Sequence, residues 1–402
     1  MIFATIVAGL TTLLTVAGFG YYLIALWSAR AFLRRQRFPA GFAPSASILK
    51  PLHGVDLGML EAFASHCRQN YSGKYEILFG VSRLDDPAAA VVHQLQAEFP
   101  NHVIRFIHTP NALGPNGKIS NVAQLVPEAR YDHLIICDSD IRVGPNYLTH
   151  VLAPFSPIEG QKPVGLVTAL YRGRDHQTPG SKLEALGIAT DFAPGVLTSR
   201  FIERGLHFGL GSTLAVSRTA LNAIGGLAPL ADYLSDDYEL GARIHAAGWR
   251  VELANEVVET SVPAWSFSGY LHHQLRWSRA MRDSRRAGYA GLIVSFGLAW
   301  AVLNLIASGL SLPAFALLTL ALLFRVSLAL GVGLGILGDR QVLRDLWLLP
   351  ARDLLALGVW AWSYASDAIA WRDERFLLKD GKLVKLESAE PLSHTVEARA
   401  KP

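Results

Sequence analysis

The sequence predicts an α/β protein: a mostly parallel sheet with helices on both faces, plus transmembrane α-helices at both ends. Three observations predict it. Between Pro44 and Gly288 short β-rich runs alternate with helical stretches, the pattern of strands joined by helical crossovers. Apolar residues make up 51% of the 402 residues and charged ones only 17%, with mean hydropathy +0.27, whereas soluble domains carry about one quarter charged residues. Long, nearly uncharged runs stand before and after the alternating block.

Residues 1–28 are the first expected element, an N-terminal transmembrane helix. Ile2 to Trp27 is uncharged over roughly 25 residues, enough to span a bilayer. It is too long for a cleaved signal peptide, and its start lacks basic residues. Residues 29–43 form a basic juxtamembrane linker, in which Arg30, Arg34, Arg35 and Arg37 place the next block in the cytoplasm. That block, 44–287, opens with a strand led by Ser47-Ile48-Leu49 and ending at Lys50-Pro51. A helix over Leu57–Gln69, the strand Tyr75–Val81, a helix from Pro87 to Glu98 and strands at Val103–His108 and His133–Cys137 follow. Ligands of such sheets bind beyond the carboxyl ends of the strands.

Residues 288–338 read as a transmembrane helical hairpin, Leu292–Leu312 and Ala314–Leu337, broken by Pro313. Arg325 interrupts the second arm and is expected to face the bundle interior. Residues 339–386 hold an interfacial or re-entrant segment or a third C-terminal membrane helix, because Leu346–Trp371 contains Pro350, Arg352 and Asp353. Keeping Arg372, Arg375, Lys379, Lys382 and Lys385 cytoplasmic requires an even number of spans after the block, which favours the hairpin plus an in-plane helix. Residues 387–402 are expected to be a flexible tail.

The net charge of +4 and pI near 9.0 suit a surface facing anionic lipid or phosphate and are too mild for nucleic acid. Cys67 and Cys137 are the two cysteines, and Cys137 ends an apolar strand. Neither a disulfide framework nor a zinc site follows, which fits a reducing compartment.

Four clusters and one glycine-rich turn carry the chemistry. Asp138-Ser139-Asp140 follows a hydrophobic strand, and two carboxylates so spaced can share a hard cation with a diphosphate, Mg²⁺ or Mn²⁺ rather than zinc. Asp236-Asp237 opens a helix; simple N-capping is the plain alternative, and the chemical reading makes Asp237 a general base with Asp236 its polar neighbour. Asp85-Asp86-Pro87 suits a helix start, and in a nucleotide-sugar cleft Asp86 would accept the uracil N–H. Gly114-Pro115-Asn116-Gly117-Lys118 is a turn whose backbone and Lys118 approach the donor, without the spacing of an ATP-binding loop. In His273-x-x-Arg276-Trp277, Arg276 suits the diphosphate and Trp277 the acceptor wall, on a helix whose many arginines also suit a membrane surface. These residues point to sugar transfer from a nucleotide donor onto a lipid. The nucleotide-sugar-binding set is then Lys50, Pro51, Asp85, Asp86, Gly114, Lys118 and Asp138, with His273, Arg276 and Trp277 at the diphosphate and acceptor.

In order and spacing, ILKPLHGVD at 48–56, DDPA at 85–88, CDSDIRV at 137–143, DDY at 236–238 and RW at 276–277 resemble the ceramide glucosyltransferase family. These are inverting, family 2/21-like glycosyltransferases. The likeness runs from the first helix to about Lys385. CRQNY at 67–71, LVTALYRGR at 166–174 and HHQLRW at 272–277 look closer to the bacterial hopanoid-associated branch, whose members are understood to attach N-acetylglucosamine to a polyhydroxylated hopanoid. The resemblance implies a Rossmann-type, nucleotide-sugar-binding (GT-A-like) fold, a UDP-sugar donor, a membrane-lipid acceptor and a bacterial inner-membrane location. It also implies that Asp86, Asp138 and Asp237 are the signature aspartates and that Arg276 and Trp277 belong to the closing motif. His273 departs from the Gln or Arg usual in the wider family, and Asp140 stands where some eukaryotic members carry glycine. Two rival readings are a processive polysaccharide synthase and a non-catalytic membrane protein that binds nucleotide sugars or lipids.

Overall fold

Strands β1 (Ala46–Leu52), β2 (Tyr75–Val81), β3 (Ile104–His108), β4 (His133–Ile136), β5 (Val164–Arg174), β6 (Leu214–Ser217) and β7 (Arg250–Ser261) form one sheet, ordered β3-β2-β1-β4-β6-β5-β7. This is a computed structural model, and it describes residues 2–35, 38, 41–371 and 374–386. Arg37, Arg372 and the expected tail 387–402 lie outside the described residues.

β1 and β2 are buried almost end to end, as strands covered on both faces must be. Alternate residues serve two cores. Leu49, Leu78, Leu134 and Ile136 pack with the Gly117–Leu125 and Asp236–Ala246 helices, while Ile48, Ile77, Phe79 and Ile135 pack with Met59–Cys67 and Ala88–Glu98. The sheet is mostly parallel, with one exception unread in the sequence. β6 runs antiparallel to both β4 and β5.

The first core continues into the apolar helices. Tyr22, Ala25, Ala29 and Phe32 of the helix Ile2–Arg34 belong to it, with Leu298, Ala321 and Leu328. Ile2–Arg34 and Leu312–Leu334 are long and apolar enough to cross a membrane among the described residues. The expected arm Leu292–Leu312 falls on a bent pair of helices. Arg286–Ser295 and Gly297–Ala307 meet at 55° and make a further span only if the bent pair counts as one. The break has a partner: the Leu298 N–H, orphaned at a helix start, donates to the Tyr22 hydroxyl at 2.9 Å. Beside it a side chain on Gly18 would meet the Gly297 Cα at 2.4 Å, so two glycines let the helices touch. Asn304 Nδ2 adds bonds to the Ala8 carbonyl at 2.9 Å and Thr12 Oγ1 at 2.6 Å.

Arg325 does face inward. Its guanidinium grips Asp353 at 2.7 and 2.8 Å and donates to the Thr190 carbonyl at 2.7 Å. The segment 339–386 is not a single membrane-associated helix. It contains the helices Gln341–Asp345 and Leu349–Ser363 and then an antiparallel sheet of β8 (Ala368–Trp371), β9 (Glu374–Lys379) and β10 (Lys382–Lys385). Asp380 and Gly381, both at positive φ, make the turn between β9 and β10. β10 docks on the domain through the Leu383 N–H, which donates to the Asp232 carbonyl at 2.7 Å.

Candidate active site

Leu49 pairs with Ile136 and Leu52 with Val81, so the loops after β1, β2 and β4 leave the sheet side by side. They open on a cavity of about 1090 Å³. Because β6 runs the other way, with Leu214 opposite Ile136, the turn before it also reaches this edge and brings Gly209 to Ser212 into the wall. β7 ends there with Thr260 and Ser261.

Asp138, just past β4, is paired with Lys118 Nζ at 2.7 Å, and buried Lys50 donates to the Asp138 carbonyl at 2.8 Å. Lys118 also stands 3.7 Å from Asp236 Oδ2. Asp237 Oδ2 accepts the Gly211 N–H at 2.7 Å. A Cβ on Gly211 would lie 3.3 Å from Asp237 Oδ2, 3.6 Å from Asp138 Oδ2 and 3.7 Å from Lys118 Nζ. Sequence-distant groups thus surround one point, and Gly211 keeps it open.

Capping does not explain Asp236 and Asp237. Ser235 is the N-cap of the Asp236–Ala246 helix and no side chain caps it; Asp236 instead accepts from Asn116 Nδ2 at 3.2 Å. Burial, and next the charge of Asp236, push the Asp237 carboxyl up to about 6 against the opposing pull of Lys118. Burial, and next Asp138, raise Asp140 to about 6 as well, although Thr260 Oγ1 and the Ser261 N–H both donate to its Oδ2.

Among the described residues no group of three or more His, Cys, Asp or Glu converges as a metal cage. Asp138 and Asp140 nevertheless fit a hard divalent cation that takes its other ligands from phosphate and water. Two neighbouring carboxylates, one with raised proton affinity, line the same cavity. A cation there would relieve their repulsion.

Pro51, Gly114, Lys118, Asp138, Asp140, Asp236, Asp237, His273, Arg276 and Trp277 all line the cavity. Lys50 lies beneath it. Asp86 stands beside it, accepting the Gly54 N–H at 3.1 and 3.0 Å and the Ala88 N–H at 2.9 Å, and so steadies the loop after β1. Asp85, placed with the binding set from sequence, does not line the cavity. It pairs with Arg83 at 2.6 Å on an exposed turn that no apolar wall covers. Gly114 owes its identity to the Ala231 carbonyl oxygen, 2.7 Å from where a Cβ would sit.

His273, Arg276, Trp277, Ala280, Met281 and Ser284 reach the cavity from one face of the Phe267–Ser284 helix. Arginines on its other faces and just past its end make contacts within the protein. Arg279 donates to the Ala368 carbonyl, Arg282 pairs with Asp367 and Arg285 with Glu203. Sequence reasoning missed Glu184, whose Oε2 lies 3.0 Å from His273 Nδ1, and the aromatic walls Trp265, Phe192 and Tyr171. Glu184 sits in an ordinary helical stretch, and nothing local in the sequence distinguishes it.

Several known proteins are similar to this chain. Ceramide glucosyltransferase 3 of Caenorhabditis elegans is 24% identical over 274 residues, 66% of this chain and 58% of that protein. Beta-monoglucosyldiacylglycerol synthase of Trichormus variabilis is 22% identical over 283 residues, 68% of this chain and 55% of that protein. The chain therefore spans little more than half the length of these curated relatives. The mannosyltransferase PcManGT from Pyrobaculum calidifontis, solved in complex with GDP-Man and Mn²⁺, matches with a TM-score of 0.54 at 15% identity. The match covers 89% of this chain and 99% of that one, a likeness of fold. The model of glycosyl transferase family 21 matches residues 10–384, a single stretch holding every acid gathered around Gly211 as well as the cavity-facing helix. By that match the chain belongs to glycosyl transferase family 21.

Proposed function

We propose that this protein is a membrane-bound inverting glycosyltransferase. It moves a hexose, glucose or N-acetylglucosamine, from a UDP-sugar to the hydroxyl of a membrane lipid, a ceramide or a hopanoid polyol. The observation that carries this reading is the point shared by Asp237, Asp138 and Lys118 at Gly211. There a base, a cation and a diphosphate-side acid meet within the reach of one reacting centre.

In this reading Asp237 takes the proton of the lipid hydroxyl as its oxygen attacks the anomeric carbon. The bond from that carbon to UDP breaks in the same step, and its electron pair leaves on the diphosphate. Lys118 and Arg276 bring positive charge to that leaving group. Asp138 and Asp140 would hold Mg²⁺ or Mn²⁺, which when bound supplies further positive charge to the diphosphate. The uracil N–H falls to Asp86, through a carboxylate already oriented by Gly54 and Ala88. A single displacement inverts the sugar and needs no carboxylate nucleophile. The lipid enters along Trp277, Met281 and Ser284, on the helix face that leads to the bent apolar pair at Arg286. In this reading the domain lies on the cytoplasmic side of a bacterial inner membrane; the basic residues Arg30, Arg34 and Arg35 after the first helix favour the cytoplasmic side.

Mass spectrometry of lipids from membranes expressing the chain and supplied with each UDP-sugar is expected to show a singly glycosylated lipid, lost on adding a chelator. UDP release without a lipid product, or a ladder of sugar lengths, would overturn the reading. The pH profile follows from Asp237. A base raised to about 6 is charged and competent above that pH and protonated below it. Initial rates at low acceptor should therefore fall about tenfold per unit below about pH 6 and level off above it.

A further inference from the structure

The cavity has two chemically unlike ends. Lys118, Asp138 and Asp237 occupy one. At the other, Trp265, Trp277 and Phe192 wall a slot containing one buried carboxylate, Glu184, only 6% exposed. Its hydrogen-bond partner among the described residues is His273, with Oε2 3.0 Å from Nδ1. That contact fixes the imidazole between Trp265 and Trp277, at ring-centroid distances of 5.0 and 5.2 Å.

A carboxylate accepts hydrogen bonds at both oxygens, and the His273 contact occupies only Oε2, which leaves acceptor capacity unused. A ligand donor entering the slot would correct this. Tyr171, Asp237 and Glu184 all line this one cavity. A molecule in the cavity whose hydroxyl reaches Asp237 can therefore present a second group to Glu184.

We propose that Glu184, held by His273, selects the acceptor by accepting a hydrogen bond from a second donor, hydroxyl or amide N–H, carried by the lipid besides the hydroxyl that is glycosylated. This rests on the lipid-transfer reading above and narrows its substrate class. A ceramide offers an amide N–H and a further hydroxyl, and a polyhydroxylated hopanoid offers neighbouring hydroxyls. A diacylglycerol offers no donor beyond the hydroxyl that reacts.

The test uses the full chain in lipid nanodiscs, with UDP-glucose and UDP-N-acetylglucosamine as donors and ceramide, a polyhydroxylated hopanoid and diacylglycerol as acceptors. Wild type is expected to favour at least one of the two donor-bearing lipids over diacylglycerol by about 10–100-fold in kcat/KM, the factor expected of one buried hydrogen bond. Which of the two it favours identifies the source. Glu184→Met keeps the volume and removes both acceptor oxygens. It should collapse that preference through the acceptor KM, with the donor KM moving less than about twofold. Glu184→Gln, which retains an acceptor oxygen, should restore part of the preference. Calorimetric UDP binding checks that each variant is folded. A wild type that uses diacylglycerol equally well, or a preference that survives Glu184→Met, overturns the inference while leaving lipid transfer intact. Absence of transfer to every lipid from both donors would instead remove the lipid-transfer reading and this inference with it.

Discussion

Asp237→Asn is expected to lower sugar transfer by about 10²–10⁴-fold, the usual contribution of a general base, while UDP still binds. The substitution is isosteric, so the cavity keeps its shape. It removes the ability to take a proton from the acceptor hydroxyl at the point bounded by Asp138 and Lys118. One local effect must be separated from the chemical one. Asp237 accepts N–H groups at both oxygens, from Gly211 at 2.7 Å and from Tyr238 at 2.8 Å. An asparagine can satisfy only one of them, and the strained contact costs about 1–3 kcal/mol of stability. Calorimetric UDP binding and the unfolding temperature therefore accompany the rate measurement. The chemical assignment predicts a lost rate in a protein that is folded and still binds nucleotide. Turnover of a folded Asn variant within about tenfold of wild type would move the base elsewhere. Asp236→Asn should fall much less, because Asp236 is turned to Asn116 and acts on Asp237 only through its charge.

Much of this site was legible because its signals are local. The strands Tyr75–Val81 and His133–Ile136 carry the apolar runs Ile77–Val81 and Leu134–Ile136, and acids past such strands land at the ligand edge of a parallel sheet. What was not legible depends on contacts between distant segments. β6 is four residues long, and its antiparallel direction, which carries Gly211 to the acids, is set by its neighbours rather than by its own residues. Asp85 and Asp86 are alike in sequence, and only Arg83 beside one and Gly54 beside the other separates their roles. Glu184 gains meaning from His273, which is distant in the chain. The C-terminal sheet is different, since its signal was present. Asp380-Gly381 between two alternating runs is a hairpin pattern, masked by reading the preceding apolar stretch as membrane-bound.

Arg325→Met alone is expected to destabilise the protein by about 3–5 kcal/mol, the range for breaking a buried ion pair by removing one partner. Arg325 is 1% exposed and grips both oxygens of Asp353, itself 2% exposed. Arg352, 3.6 Å from Asp353, compensates only partly and is already committed to Asp191. The double variant Arg325→Met with Asp353→Leu removes both charges, and swaps of this kind are often neutral. Here a smaller deficit should remain. Arg325 also donates to the Thr190 carbonyl at 2.7 Å, within the π-helical turn Ile188–Phe192. Such a turn breaks the regular helical ladder, and losing the donor to this buried carbonyl costs about 1–3 kcal/mol. Unfolding temperatures in one detergent should rank wild type, then double, then single variant. A double variant no better than the single one would show that Asp353 is not the group left stranded. The same turn carries Ile188 and Phe192 into the cavity wall. Below its unfolding temperature the double variant should therefore raise the acceptor KM more than the donor KM, because the clamp on Thr190 shapes the lipid end of the cavity and leaves the acids around Gly211 untouched.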